Sequence, residues 1–218
     1  MTVCERIAPI QGSLYSPKNC VVTSNLEFAD RAYTSMALKA HTDNAYIKNA
    51  AGLEGFHVIV TAKEGGESII IDGFNCAEQL KQRFPDDFDF LTRTYIEVEY
   101  LKKGKHHLKS RSKIIELDQI HDSYFQIRHN VYNKVNVNHL SSDNILRFYR
   151  AMQRFMSIVD DERNILKIAL RPDQVLIFNN FRLMHARTAV TGKRTLVTTY
   201  MPYDEWLSNA RLRNLTDL

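Results

Sequence analysis

Residues 38–46 read LKAHTDNAY, and within them His41 and Asp43 stand two apart beside a hydroxyl and an aromatic. In an extended segment, side chains at i and i+2 point to one face, so a short stretch can offer an imidazole and a carboxylate to one ion. A third ligand must come from far away in the chain. The candidate is His185 in QVLIFNNFRLMHAR (174–187), where an apolar, β-rich run ends and carries its histidine out of the core. Two histidines and one carboxylate on one face of an octahedral ion leave three positions open, the arrangement that non-haem Fe(II) oxygenases use for a cosubstrate and dioxygen. Arg194 follows in TGKRTL (191–196), a planar fork suited to a carboxylate.

The 218 residues suffice for one sizeable core, and residues 1–218 read as one domain. With 29 basic and 25 acidic residues the formal charge is +4, too mild a bias to imply a nucleic acid or an anionic membrane as partner. Cys4, Cys20 and Cys76 are odd in number and show no CxxC spacing, so neither a disulfide framework nor a zinc ribbon is expected and a reducing compartment fits. No apolar run approaches the roughly 18 residues of a membrane span. The start, MTVCERIAPIQG, has neither the apolar core of a signal peptide nor an Arg-rich presequence. The expectation is a soluble intracellular protein, cytoplasmic or mitochondrial.

Outward from the His-Asp stretch, the pattern alternates between short strands and a few helices. Pro9, Gly12 and Pro17 break the first 28 residues into extended segments and turns, and ADRAYTSMALKAHTD brings Tyr33, Met36 and Leu38 toward the candidate ligands. GFHVIVTA and SIIID read as two strands of a hairpin turned by Glu64-Gly65-Gly66. CAEQLKQRF has Ala77, Leu80 and Phe84 at helical spacing, Pro85 stops it, and DDFDFLTR forms a second short helix. TYIEVEY, KIIEL and YFQIR are β-rich. From Ser141 to Val159, Ile145, Phe148, Tyr149, Met152, Phe155, Met156 and Val159 form one helical stripe. ILKIAL, QVLIF and TLVTTY are strands, and the tail from Asp204 is helical. Many short strands, one packing helix and ligands at both ends of the chain suit a mainly β barrel with the metal in its mouth.

Each signal has a plainer reading beside it. A His-x-Asp is common on ordinary surfaces, and an arginine after Gly192 fits an exposed turn. The basic stretch LKKGKHHLKSRSK reads as a solvated loop, with His106 and His107 pointing apart and exposed. Asn130 in QIRHNVYN is either a turn residue or a substrate hydrogen-bonding group. Tyr33, Tyr46 and Tyr200 are either half-buried packing residues or, if they face one cavity, a site for an organic cation worth roughly 0.5–2 kcal/mol per ring.

These residues resemble the Fe(II)/2-oxoglutarate-dependent dioxygenases of the γ-butyrobetaine dioxygenase/trimethyllysine dioxygenase family, part of the TauD-like superfamily. The resemblance is carried, in order, by ERIAPI, AYTSMALKAHTDNAY, GGESIIIDGFNCAEQL, SKIIELD, QIRHNVYN, RPDQVLIFNNFRLMHAR, TGKRTL, TTY and SNARL, which span nearly the whole chain from Glu5 onward. It implies a double-stranded β-helix (jelly-roll) core with packing helices. His41, Asp43 and His185 would hold iron, and Arg194 would pair with the distal carboxylate of 2-oxoglutarate. Arg187 takes the place of the arginine in the family's His-Gly-Arg motif. Tyr33 and Tyr200 match aromatics around a quaternary ammonium, and Asn130 and Tyr46 match substrate-pocket positions. The implied activity uses dioxygen, 2-oxoglutarate and Fe(II), with ascorbate as reductant, to hydroxylate a small amino-acid-derived cation. SNARL and the arginine spacing lie closer to trimethyllysine dioxygenase, and DGFN and SKIIELD closer to the butyrobetaine enzyme. Relatives of this kind often self-associate, which implies a homodimer.

The departures from the family pattern are specific. The family's N-terminal domain has no counterpart in this sequence, Cys20, Val21 and Val22 supply no aromatic where the ammonium cage would have one, Ala186 replaces a glycine and Phe181 replaces a tryptophan. A catalytically weak jelly-roll binding protein is therefore the rival reading, and a zinc hydrolase with the same three ligands a third, though it gives Arg194 no task.

Overall fold

Strand alternation decides what faces the interior. The computed structural model describes residues 3–14, 16, 19–23 and 34–216. Along these the strands are β1 (Cys20–Thr23), β2 (Leu38–His41), β3 (Leu53–Val60), β4 (Glu64–Gly65), β5 (Ser68–Asp72), β6 (Ile96–Lys102), β7 (His106–Ser112) and β8 (Ile115–Asp118). They continue with β9 (Ser123–Ile127), β10 (Lys134–Asn136), β11 (Ile165–Ile168), β12 (Val175–Asn179), β13 (Leu183–Arg187), β14 (Val190–Thr191) and β15 (Thr195–Met201). The helices are α1 (Gly73–Arg83), α2 (Pro85–Arg93), α3 (Ser142–Val159) and α4 (Tyr203–Leu212).

Two four-stranded sheets, β1-β15-β3-β12 and β11-β5-β13-β2, carry the jelly-roll core, and the pairings within them are antiparallel. Phe56, Phe178 and Leu196 of the first sheet pack against Ile70 of the second, so the sheets enclose a common interior. Ala40, Ile71, Met184 and Ala186 on the second sheet turn the other way, into a cluster with Leu80, Phe88, Phe148 and Phe155 of the helices. With a side-chain period of two, placing Ala40, Met184 and Ala186 under the helices sends His41, His185 and Arg187 into the space between the sheets. On the outer face of the first sheet, Leu53 and Met201 bury against Cys4, Ala8 and Trp206.

The helices form where caps and stripes agree. Asp72 accepts from the amides of Phe74 and Asn75 and starts α1, and Ser141 accepts from the Asn144 amide and starts α3. Pro85 both ends α1 and opens α2, followed by Asp86 and Asp87 in its first turn. The buried stripe of α3 is Phe148, Ala151, Phe155, Ile158 and Val159, whereas Tyr149 is 58% exposed and leaves the expected stripe. Its ring packs edge-on to Phe148 from the solvent side.

Three further expectations change. GFHVIVTA and SIIID do not form a hairpin: β3 pairs with β15 and β12, while β5 pairs with β13 and β11 in the opposite sheet. Gly65 and Gly66, both at positive φ, form the crossing between sheets. The basic stretch is not a loop, because His106–Ser112 pairs along its length with β6, and Glu97 and Glu99 answer Lys109, Arg111 and His107 across the strands. Met36 does not reach the interior and is 53% exposed. Cys4, Cys20 and Cys76 are buried thiols. Among the described residues no helix is long and apolar enough to cross a membrane.

Candidate active site

The His-x-Asp pair straddles a strand end. His41 is the last residue of β2, and Asp43 begins a turn whose next residue, Asn44, sits at positive φ. Both side chains therefore do not lie on one strand, as the extended reading required, yet His41 Nε2 and Asp43 Oδ1 come within 3.4 Å. His185 arrives from β13 in register with His41, and one donor atom from each of the three residues lies within 4.8 Å of the others. His41 Nδ1 donates to the Lys39 carbonyl at 2.7 Å, and Nε2 is turned toward Asp43. The His185 ring packs against Phe56 and Phe178, with centroids at 5.5 and 5.3 Å.

The turn that carries Asp43 is clamped by residues from three directions. Asn180, fully buried, accepts from the Asp43 amide at 2.9 Å and donates to the carbonyls of Asp43 and Ala51 at 3.2 and 2.9 Å. Arg128 donates to the carbonyls of Ala45, Ile47 and Lys48, and Ser110 also donates to Ala45. Thr42 and His129 exchange backbone and hydroxyl hydrogen bonds. None of these clamps was singled out in the sequence, where Asn180 lies in an ordinary Asn-Asn turn between two strands.

Burial would raise the Asp43 carboxyl, but hydrogen bonding and charge from His41 and His185, with a hydrogen bond from Tyr200, hold it below the usual carboxylate range. Burial, reinforced by His41, brings His185 down to about 3 against the opposing pull of Asp43, so its imidazole is neutral. Burial drives the Glu54 carboxyl well above its ordinary range, with the Asp43 charge adding to it. A carboxylate and two imidazoles converging on one point fit a divalent first-row metal.

These residues open onto a cavity of about 660 Å³ that also receives Arg187, Arg194, Tyr46, Asn130 and Tyr200. Arg194 is 8% exposed, so it is not a surface turn residue. Burial, then the neighbouring Arg187, lowers it to about 10, which leaves it charged at neutral pH. Gly66 makes room for it: a Cβ there would stand 3.1 and 3.2 Å from Arg194 Cδ and Nε. Arg187 donates to the carbonyls of Thr34 and Met36 at 2.6 and 2.7 Å and so ties down the segment entering β2. Tyr46 stacks on Tyr100 with centroids 4.8 Å apart. Asn130 donates to the Thr42 carbonyl and accepts from the Tyr132 amide. Tyr200 lines the cavity and directs its hydroxyl to Asp43 Oδ2, so it meets the ligand set. Tyr33 lies outside the described residues. Cys20 and Val22 line the wall where an aromatic is missing, and the Ala186 methyl faces the helix-side cluster, away from His185. Tyr132, not singled out earlier, stands edge-on to His41 at 5.7 Å and accepts from the Lys39 amide.

A family model described as taurine catabolism dioxygenase TauD, TfdA family matches residues 2–200. The chain is 30% identical over 216 residues to the mitochondrial trimethyllysine dioxygenase of Mus musculus, covering 98% of this chain and 51% of that protein. It is 27% identical over 200 residues to the gamma-butyrobetaine dioxygenase of Homo sapiens, covering 88% and 51%. The chain thus spans about half the length of the curated relatives it matches. Among solved structures, a taurine dioxygenase from Burkholderia xenovorans superposes with a TM-score of 0.66 at 11% identity, covering 91% of this chain and 70% of that one, a likeness of fold. The jelly-roll sheets, the convergent His41, Asp43 and His185, and the near-complete family match agree: this chain belongs to the TauD, TfdA family.

Proposed function

We propose that the chain is the catalytic unit of an Fe(II)- and 2-oxoglutarate-dependent hydroxylase acting on a small amino-acid-derived cation, trimethyllysine foremost and γ-butyrobetaine as the alternative. The observation that carries this reading is the shared cavity of His41, Asp43, His185 and Arg194. The identity to a trimethyllysine dioxygenase supports the choice of substrate. A mitochondrial location, which that relative's name carries, belongs to the same proposal.

His41, Asp43 and His185 would hold Fe(II), and Arg194 would receive the distal carboxylate of 2-oxoglutarate through a charge-assisted fork. Iron bound there supplies the activation of dioxygen that couples oxidative decarboxylation of 2-oxoglutarate, yielding succinate, to hydroxylation of a C–H bond. The chain supplies orientation and dryness. Phe56 and Phe178 shield His185 from water, Asn180 and Arg128 fix the Asp43 turn, and Tyr200 holds one Asp43 oxygen so that the other is presented to the ion. Tyr46, Tyr100 and Tyr132 offer aromatic surface for an organic cation near the mouth.

The test is mass spectrometry of the product: with Fe(II), 2-oxoglutarate, ascorbate and air, trimethyllysine gains one oxygen atom and γ-butyrobetaine gains it more slowly. Reversal of that order assigns the butyrobetaine activity. The rival binding-protein reading draws on Cys20 and Val22, which give the cavity wall no aromatic ring. It predicts no oxidised product from either compound.

A further inference from the structure

Within β3, residues 54, 56 and 58 share the face that looks between the sheets, and Phe56 and Val58 suit it. Glu54 does not. It is 1% exposed, its carboxyl lies within hydrogen-bonding reach of Asp43 and Tyr200, and its Oε2 has neither solvent contact nor a hydrogen-bond partner, a costly arrangement where a leucine would pack. Opposite this oxygen, 3.8 Å away, is His185 Nδ1, itself buried and without a hydrogen-bond partner. Glu54 lies outside the group of three convergent donors, so it approaches the site from behind a ligand rather than as one. Strand pairing fixes it there, since β3 sets Glu54 beside Tyr200 on one side and Phe178 on the other.

The two histidines thus differ in how their Nδ1 atoms are engaged. His41 Nδ1 is satisfied by the Lys39 carbonyl at 2.7 Å, whereas His185 Nδ1 faces a carboxyl oxygen across a gap slightly too long for a hydrogen bond. Resting on the metal-site reading above, we propose that Glu54 is a positioning residue: on metal loading it accepts the Nδ1–H of His185, which leaves Nε2 for the ion and fixes the ring. A ligating histidine that donates its other ring N–H is locked in one tautomer and becomes a stronger ligand, and loss of such a partner weakens metal affinity by roughly 10–100-fold. This gives the otherwise unpartnered Oε2 a role that packing does not.

The experiment is a Co(II) titration of the metal-free full chain, followed by visible absorbance, for wild type, Glu54→Leu, Glu54→Gln and Asp43→Ala. Glu54→Leu raises the Co(II) Kd roughly 10–100-fold without lowering the melting temperature of the metal-free protein. Glu54→Gln, whose amide oxygen still accepts, stays within about threefold of wild type. Asp43→Ala loses binding. If Asp43→Ala binds like wild type, the metal site is wrong and the Glu54 role goes with it. If Asp43→Ala loses binding while Glu54→Leu binds normally, or Glu54→Gln is as weak as Glu54→Leu, the Glu54 role alone is overturned. A readout independent of any variant is the 15N spectrum of histidine-labelled, Zn(II)-loaded protein, in which His185 carries its proton on Nδ1; a proton on Nε2 contradicts the proposal.

Discussion

His41 and His185 are direct partners in the β2–β13 pairing, with ring centroids 4.2 Å apart. Two histidines from opposite ends of the chain are thus brought together by the strand ladder itself, and the pairing irregularity between His185 and Arg187 falls just beyond them. Preorganisation by paired strands is more exact than by loops, and it leaves only Asp43 to be placed by a turn.

That turn depends on Asn180. Replacing it by Ala leaves the Asp43 amide and the Ala51 carbonyl without their buried partners, each worth about 1–3 kcal/mol. Asn180→Ala should lower the urea midpoint with an unchanged slope and weaken metal binding in parallel. Normal metal affinity in a destabilised variant would separate the clamp from the site.

Arg194 is expected to act through its fork. Arg194→Lys keeps the charge but not two parallel hydrogen bonds, so the KM for 2-oxoglutarate should rise roughly 10–100-fold, in line with the 1.5–3 kcal/mol of a charged hydrogen bond. Gly66→Ala should act on the same constant from outside, because its Cβ would press on Arg194 Cδ at 3.1 Å from a backbone at φ +76. An unchanged KM in both variants would place the 2-oxoglutarate carboxylate elsewhere.

Acid should loosen the metal-free protein in a predictable direction. Burial lowers His129 to about 4 and His185 to about 3 from 6.5, so both contribute stability that is fully present above pH 6.5 and is lost as pH falls toward those values. Glu54 works the other way: its raised pKa keeps a proton in the folded state that the unfolded chain releases above 4.5. Between pH 4.5 and 6.5 the two histidines make stability rise with pH, and Glu54 opposes them. Urea unfolding across that range measures the balance, and His129→Gln should make stability rise less steeply with pH.

The core of the candidate site was legible in the sequence because its signals are local: a His-x-Asp, a histidine ending an apolar run and an arginine before a strand, although the His-x-Asp was expected on one extended segment and instead straddles a strand end. The partners that hold these residues were not. Glu54 sits in LEGFHV, where alternation with Phe56 and Val58 already sends it inward, but an inward acid acquires meaning only when His185 is seen opposite. Asn180 looks like any turn residue until its amide meets Asp43 across the fold. Long-range pairing also defeated the GFHVIVTA–SIIID hairpin, since a Gly-Gly turn can reverse a strand or pass the chain to the other sheet. The basic 102–113 stretch hides a strand because its partners are the alternating glutamates of β6, and charge alone reads as loop. Tyr149 fell into an apolar stripe by spacing, whereas α3 buries a face shifted toward Ala151 and Ile158.

The most direct test of the account is succinate formation from 2-oxoglutarate under Fe(II), ascorbate and air, compared between wild type and His185→Ala. Wild type should form succinate, faster with trimethyllysine present, and His185→Ala should form none above background while keeping its fold. Equal succinate formation by the two proteins, or none by iron-loaded wild type with either trimethyllysine or γ-butyrobetaine, would contradict the claim that His41, Asp43 and His185 form the catalytic centre.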